Sequence, residues 1–414
     1  MEGRIKFVDR RTGQWGFIVP SDGSADVHFS MASVEGLLPS AADIDAPVDF
    51  ELAEDGQGRH ARRMRLLRPP AAGVQAGPVV TAVSPQRDDL RPWAYIPYTP
   101  FRTRDGRDYS SVLEYLANLA LEERWHFGAQ PDSRNPYPIL DNYFTYTFTK
   151  LRREGKVFEK TTSAGAWASF NIGLVDRLYD PIYALFERND RAGMQPWKFY
   201  DFCVPGKRAS GRKLTEVFEP LPEPAKYFNS SFDMLFDTSK DIHVDYEHVI
   251  LDGVSRDRFP TQFLREHIPD GFEWKDVSGM VYQEREVFLS KLSRSIEEDA
   301  RCMRAIKRRL EDAKLLAEKR IRWNFKTAIP QYYPRFDVMS LLLPLALIND
   351  EVVDIALVVT RNPSGSYQGR TILPLDWAYQ NARLVCRPDS DWLVPDRVNI
   401  EAEAERDGSP PLTE

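Results

Sequence analysis

Cysteine is scarce in this chain. Three residues, Cys203, Cys302 and Cys386, lie far apart with no CxxC or Cys/His spacing. That excludes a disulfide framework and a thiolate zinc site, and it fits a reducing, cytoplasmic setting. Long apolar runs are missing as well. The most apolar stretch, Met339 to Ile348, is interrupted by Pro344 and falls short of the roughly 18 residues of a membrane span, so no membrane partner is expected. Strand-like residues begin almost at Met1, which leaves no room for a signal peptide. The Walker phosphate loop, the Rossmann GxGxxG, HExxH and GxSxG are all absent, and no Lys-x-x-Gly run stands where a nucleotidyl-transfer lysine would. No cofactor and no metal are expected. The nearest thing to a ligand set is HVDYEH at 243–248. On a strand it would place His243, Asp245 and Glu247 on one face, and a surface strand explains it more simply.

Net positive charge is lacking too. Lys and Arg number 55 against 62 Asp and Glu, a net charge of −7, unlike the balance of a nonspecific nucleic-acid binder. Charge is segregated, however: Arg301 to Lys326 holds ten cations and three acids. Apolar residues make up 42% and aromatics 12%, ample for a packed core, and 414 residues imply two or three domains.

Composition divides the chain into a barrel-like segment at 1–68, a linker at 69–92, a globular region at 93–395, and an acidic, disordered tail at 396–414. The linker is rich in Pro, Ala, Gly and Val without amphipathic period. In the globular region, periodicity predicts helices over Ser110–Glu122, Pro138–Glu154 and Asp376–Leu384, with Asp376 as cap. A long helix or helix pair is expected over Ser278–Trp323. Strands are expected at Trp167–Leu174, Ile182–Arg188, Trp197–Val204, Tyr246–Leu251, Val338–Ile348, Val352–Thr360 and Gly369–Leu373. Strands, then a long helix, then strands and a helix again imply an α+β domain with a mixed sheet. No internal repeat of fixed period is visible.

The first 65 residues carry the most chemistry. Trp15 and Phe17 flank Gly16 in GQWGFI, so on a strand both rings project from one face. DVHFS follows after an SDGS turn, bringing His28 and Phe29. These runs resemble the two nucleic-acid-binding motifs of the cold-shock domain. The resemblance implies an all-β, five-stranded barrel of the oligonucleotide-binding type, with single-stranded RNA or DNA as partner. Two departures stand out. Gln14 is an insertion in the first motif, and Asp26 takes the place of a stacking aromatic in the second. The expected platform is Trp15, Phe17, His28 and Phe29, with Lys6, Phe7, Arg10 and Arg11 beside it and Phe7, Ile18 and Val27 filling the interior.

The region after the linker resembles a bacterial domain of unknown function that recurs beside RNA-binding modules. Three segments carry the likeness. They are ILDNYFTYTFTKL with FNIGLVDRLYDPIYALFERN, then RWNFKTAIPQYYPRFDVMSLLLPLAL, then YQGRTILPLDWAYQNARLVCRPDSDWL. That resemblance implies a role near RNA by analogy and brings no reaction. Within these segments, cations interleave with aromatics and carboxylates. A nucleotide or phosphate cleft built from Lys326, Tyr332, Arg335, Asp337, Arg370, Asp376, Asn381 and Arg383 is one reading. An internal network pairing Asp376 with Arg383, and Arg387 with Asp389 or Asp391, is the other. The cations of Arg304, Lys307, Arg308, Arg309 and Lys314 lie opposite the apolar stripe of their helix, either solvated or touching phosphate. Function therefore reads as single-stranded nucleic-acid binding, RNA in the first place. The alternative is an RNA-processing enzyme with a cleft in the larger domain, which requires the cleft residues to converge.

Overall fold

A computed structural model describes residues 1–8, 15–22, 24, 26–30, 33–34, 47–55, 58–66 and 89–395, the last range apart from 98–99, 164, 192, 231–232, 278 and 335. Two compact units result, one within Met1–Ser84 and the other within Pro85–Pro410. Most of the expected linker and all of the expected tail lie outside the described residues. The linker's last residues do not belong to it: Leu90 is wholly buried in the core of the larger unit.

The first unit is a closed barrel of β1 (Glu2–Val8), β2 (Trp15–Pro20), β3 (Val27–Ser30), β4 (Pro47–Asp55) and β5 (Gly58–Leu66), in the order β1-β2-β3-β5-β4. Neighbours are antiparallel except β3 and β5, which run parallel. This is the five-stranded oligonucleotide-binding architecture. Strand alternation sends Ile18, Val27, Phe29, Val48, Phe50 and Ala61 inward as the core, and a register shift at Arg63 (φ 48°) on β5 brings Met64 in with them.

The larger unit is α+β. It begins with α1 (Leu90–Trp93), β6 (Ala94–Tyr95), a small ribbon of β7 (Phe101–Arg102) and β8 (Asp108–Tyr109), α2 (Val112–Leu119) and α3 (Pro138–Arg153). Ser111 caps α2, its hydroxyl accepting from the Glu114 N–H, and Pro138 opens α3 where no helical N–H is needed. A meander of β9 (Phe158–Thr162), β10 (Gly165–Val175), β11 (Pro181–Arg188) and β12 (Trp197–Cys203) then leads into α4 (Arg208–Val217). The chain continues through β13 (Ile242–Val244), α5 (Tyr246–Ser255), α6 (Thr261–Glu266), α7 (Tyr282–Glu298) and α8 (Ala300–Trp323). A second meander, β14 (Ile329–Tyr333), β15 (Val338–Leu345), β16 (Ile355–Arg361) and β17 (Tyr367–Pro374), ends in α9 (Leu375–Val385).

One expectation changes, and one alternative is settled. The segment at 246–251 is helical, because Asp245 accepts the His248 N–H and starts α5; the carboxylate is used as a cap, and the one-face ligand set disappears. The long helical stretch is a pair, broken at Asp299, whose side chain caps α8.

One topology occurs twice. In each half a short edge strand runs parallel to the last strand of an antiparallel four-strand meander, with one helix before the meander and one after it. The halves are β6, α3, β9–β12, α4 and β13, α8, β14–β17, α9. Between the two sheets lie α3 and α9: Phe144, Phe148, Ala378 and Ala382 share one core with Phe170 and Phe186 of the first sheet and Leu342 and Val358 of the second. The far face of the first sheet packs Trp167 and Leu185 on Leu214 of α4. The far face of the second packs Leu341, Leu343 and Leu357 on α5, α7 and α8.

Candidate nucleic-acid interface

On the barrel, register decides which rings face outward. Phe17 pairs with His28 across β2–β3, and His28 pairs with His60 across β3–β5. Their sequence neighbours Ile18, Val27 and Ala61 are buried. Phe17, His28 and His60 therefore form a band across three adjacent strands on the outer face. The Phe17 and His28 rings meet edge to face, with centroids 5.6 Å apart and planes at 75°. At one side, Arg59 Nη2 donates to Ser24 Oγ at 3.2 Å, tying β5 to the SDGS turn. Within that turn the hydrogen bonds from Ser24 hold the Asp22 carboxyl below its usual range. Further along β5, Arg62 and Arg63 are exposed, and Arg63 Nη1 lies 3.4 Å from Glu51 Oε1.

Phe29 is corrected. It is 0% exposed and points into the core with Val27 and Phe50. Residues two apart on a strand share a face, so Val27 inside requires Phe29 inside, and the outward residue is His28. The backbones of Lys6, Phe7 and Trp15 lie on β1 and β2, Phe7 opposite Phe17 and Trp15 opposite Ser30. Their side chains, and Arg10 and Arg11 entirely, lie outside the described residues. His60 and the arginines of β5 were missed in the sequence. The signal was present in GRHARRMRL, where polar residues flank the inward Ala61 and Met64.

In the larger unit the expected cleft residues do not come together. Tyr332 and Asp337 do meet, lining a cleft of about 650 Å³ with Lys150, Lys156 and Lys226. Tyr332 OH donates to Asp337 Oδ1 at 2.9 Å, and Lys150 Nζ donates to the same oxygen at 2.7 Å. Burial works to raise the Asp337 carboxyl, but the bonds from Lys150 and Tyr332 outweigh it and hold the group below its ordinary value. Burial and the Asp337 carboxylate push the Tyr332 phenol up. Lys156 is paired with Glu154 at 2.8 Å, and both oxygens of Glu154 accept from the Lys226 backbone N–H. The cleft's own carboxylates thus occupy the ammonium groups of Lys150 and Lys156.

The other candidates have separate neighbourhoods. Lys326 pairs with Asp389 at 2.6 Å on the surface, and Arg370 donates from Nε to Thr360 Oγ1 at 2.9 Å. Asp376 sits in the first turn of α9 while Pro374 occupies the cap position, and Asn381 is half-buried further along that helix. Arg383 is buried and its partner is Glu123, where the sequence pointed to Asp376. Arg335 lies outside the described residues.

The fold thus defines a two-unit protein, an oligonucleotide-binding-type barrel joined to an α+β unit of duplicated topology. Residues 116–392 match a domain of unknown function (DUF3825), and the chain belongs to that family. No curated protein matches. Among solved structures, a chain titled "drosophila Unr CSD456" aligns at 10% identity and a TM-score of 0.13 over 50% of this chain, which spans 63% of that one's length.

Proposed function

We propose that this protein binds single-stranded nucleic acid, RNA in the first place, on the outer face of its barrel. The observation that carries the reading is the band of Phe17, His28 and His60 across β2, β3 and β5. Flat rings on the outer face of such a barrel offer stacking surfaces for unpaired bases, whose π-faces are accessible only in single strands. Net charge of −7 fits binding at the barrel led by stacking. For the larger unit, the separation of Lys326, Arg370 and Arg383 from the Tyr332–Asp337 cleft favours binding over turnover. The test is titration of the full chain with oligouridine, native and with Phe17→Ala or His28→Ala. Each stacked base is worth on the order of 1–3 kcal/mol, so each variant is expected to lose affinity by that amount. Unchanged affinity in both variants overturns the reading.

A further inference from the structure

The outer side of α8 ends in an unusual feature. Trp323, its last residue, is 92% exposed, and Phe325 two residues on is 61% exposed. Single exposed apolar side chains are ordinary, but Trp323 and Phe325 at one helix end, with Val352 57% exposed in the cleft beside Trp323, are the apolar contacts a binding surface offers. Trp323 forms one wall of a cleft of about 710 Å³ whose lining includes Trp392, Leu375, Lys319 and Arg320 together with the carboxylates Glu351 and Asp391. Trp392 is held in place, its Nε1–H donating to the Thr327 carbonyl at 2.9 Å.

A stripe of cations leads to this place. Buried Cys302, Ile306, Leu310, Ala313, Ala317 and Ile321 define the inner face of α8. Directly opposite, at helical spacing, come Arg304, Arg308, Lys319 and Arg322. At 1.5 Å per residue they span about 27 Å. None of the four has an ion-pair or hydrogen-bond partner among the described residues, whereas Lys307, Arg309 and Lys314 are paired with Glu311, Asp350 and Glu318. Two acids border the stripe: Glu311, which Lys307 takes up, and Asp312, exposed one turn from Arg308, so the row stays cationic by four to one.

From this we infer that α8 and its C-terminal end are a second contact surface for single-stranded nucleic acid. A base stacks on Trp323 in the cleft, and backbone phosphates follow Arg322, Lys319, Arg308 and Arg304 along the helix. Complementary charge selects this occupant. A base suits a cleft walled by Trp323 and Trp392, and a polyanion suits a cationic row without partners among the described residues. The inference rests on the proposed binding of single strands and assigns the larger unit its own part in it.

The test uses the full chain and an oligouridine of about 30 nucleotides, longer than the roughly 4–16 nucleotides one such barrel covers. Ultraviolet crosslinking followed by trypsin releases Trp323–Lys326 as one peptide, cut after Arg322 and Lys326, and uridine adducts are expected on it. Trp323→Ala is expected to weaken binding roughly 5- to 150-fold. Replacing Arg304, Arg308, Lys319 and Arg322 together by Gln is expected to flatten the log–log salt slope by roughly 3. All five side chains are exposed, so folding is little affected. Adduct-free Trp323–Lys326 with unchanged affinity in Trp323→Ala overturns the inference, returns this surface to a protein partner, and leaves the barrel reading intact if Phe17→Ala still weakens binding. Adducts there, with Phe17→Ala and His28→Ala silent, support this surface and overturn the barrel reading. No binding by the native chain overturns both.

Discussion

Arg383 grips Glu123 across 260 residues of chain, Nε to Oε1 at 2.6 Å and Nη2 to Oε2 at 2.8 Å. The guanidinium also lies 4.9 Å from the Trp125 ring and 4.6 Å from that of Tyr143, so two aromatics flank the fork. The pair fastens α9, the last helix, to the segment between α2 and α3. Both side chains are 8% exposed.

Removing one partner leaves a buried charge without compensation. Glu123→Gln or Arg383→Gln is expected to cost about 3–5 kcal/mol. Replacing both by apolar residues of similar size recovers most of that. Urea denaturation of the single and double variants measures it, and a loss below about 1 kcal/mol in both singles refutes the role.

Phe17 and Phe29 stand on neighbouring strands of one barrel and are expected to behave oppositely. Phe29→Ala opens a cavity in a core of few residues and should cost about 3–5 kcal/mol of barrel stability. Phe17→Ala should leave the unfolding midpoint nearly unchanged and reduce nucleic-acid affinity. Thermal unfolding beside the binding titration separates the two.

Gly173 interrupts β10 with φ at +79°, and a Cβ there would come within 2.7 Å of the Tyr143 hydroxyl, which donates to the Ile172 carbonyl at 2.9 Å. Gly173→Ala meets both obstacles and is expected to destabilise by roughly 2–4 kcal/mol. In a Tyr143→Phe background the clash is gone and the backbone strain remains, so the cost should fall by about half. Equal costs in the two backgrounds argue against the contact.

Asp105 links three groups. Its carboxyl is held at about 2 by the hydrogen bond from Arg107 first and that from the Thr103 hydroxyl next, with Arg208 also paired to it at 2.8 Å. A depressed carboxyl pKa adds stability above its ordinary value of 3.8, and that stability is lost as pH falls from about 4 toward 2. The site is partly exposed, so solvent screening limits the gain to about 0.5–1 kcal/mol. Asp105→Asn should show that deficit at pH 7 and approach the native chain near the acid end. A deficit constant with pH refutes the assignment.

Much of this could be read from local pattern. The inward Ile18 and Val27, the cap at Ser111 and three strands of each meander follow from neighbours a few residues apart; β9, β14 and the Asp299 cap went unread. Phe29 was misplaced although the same rule covered it, because the motif resemblance drew the ring outward while Val27 was correctly put inside. The Glu123 partner of Arg383 was not legible: Asp376 was seven residues away in sequence, and only the stacking of α3 and α9 between the sheets brings residue 123 nearer. The doubled topology was hidden for a related reason. Each half keeps its strand order and its alternation of buried faces, which many side chains satisfy, while the connection from edge strand to meander differs, two helices in one half and four in the other. At 246–251 the apolar Val249, Ile250 and Leu251 after Tyr246 looked like a strand until the Asp245 cap decided for helix.

The second sheet is covered on both faces, and its strands therefore serve two cores at once. Leu342 belongs to the layer shared with the first sheet, while Leu341 and Leu343 on either side of it belong to the helical layer. Adding or deleting a single residue in the middle of β15 would exchange the two sets beyond that point. Substitution can be absorbed here one side chain at a time; a change of length cannot. Variation among chains sharing this architecture is expected to alter the composition of this strand freely while leaving its residue count alone.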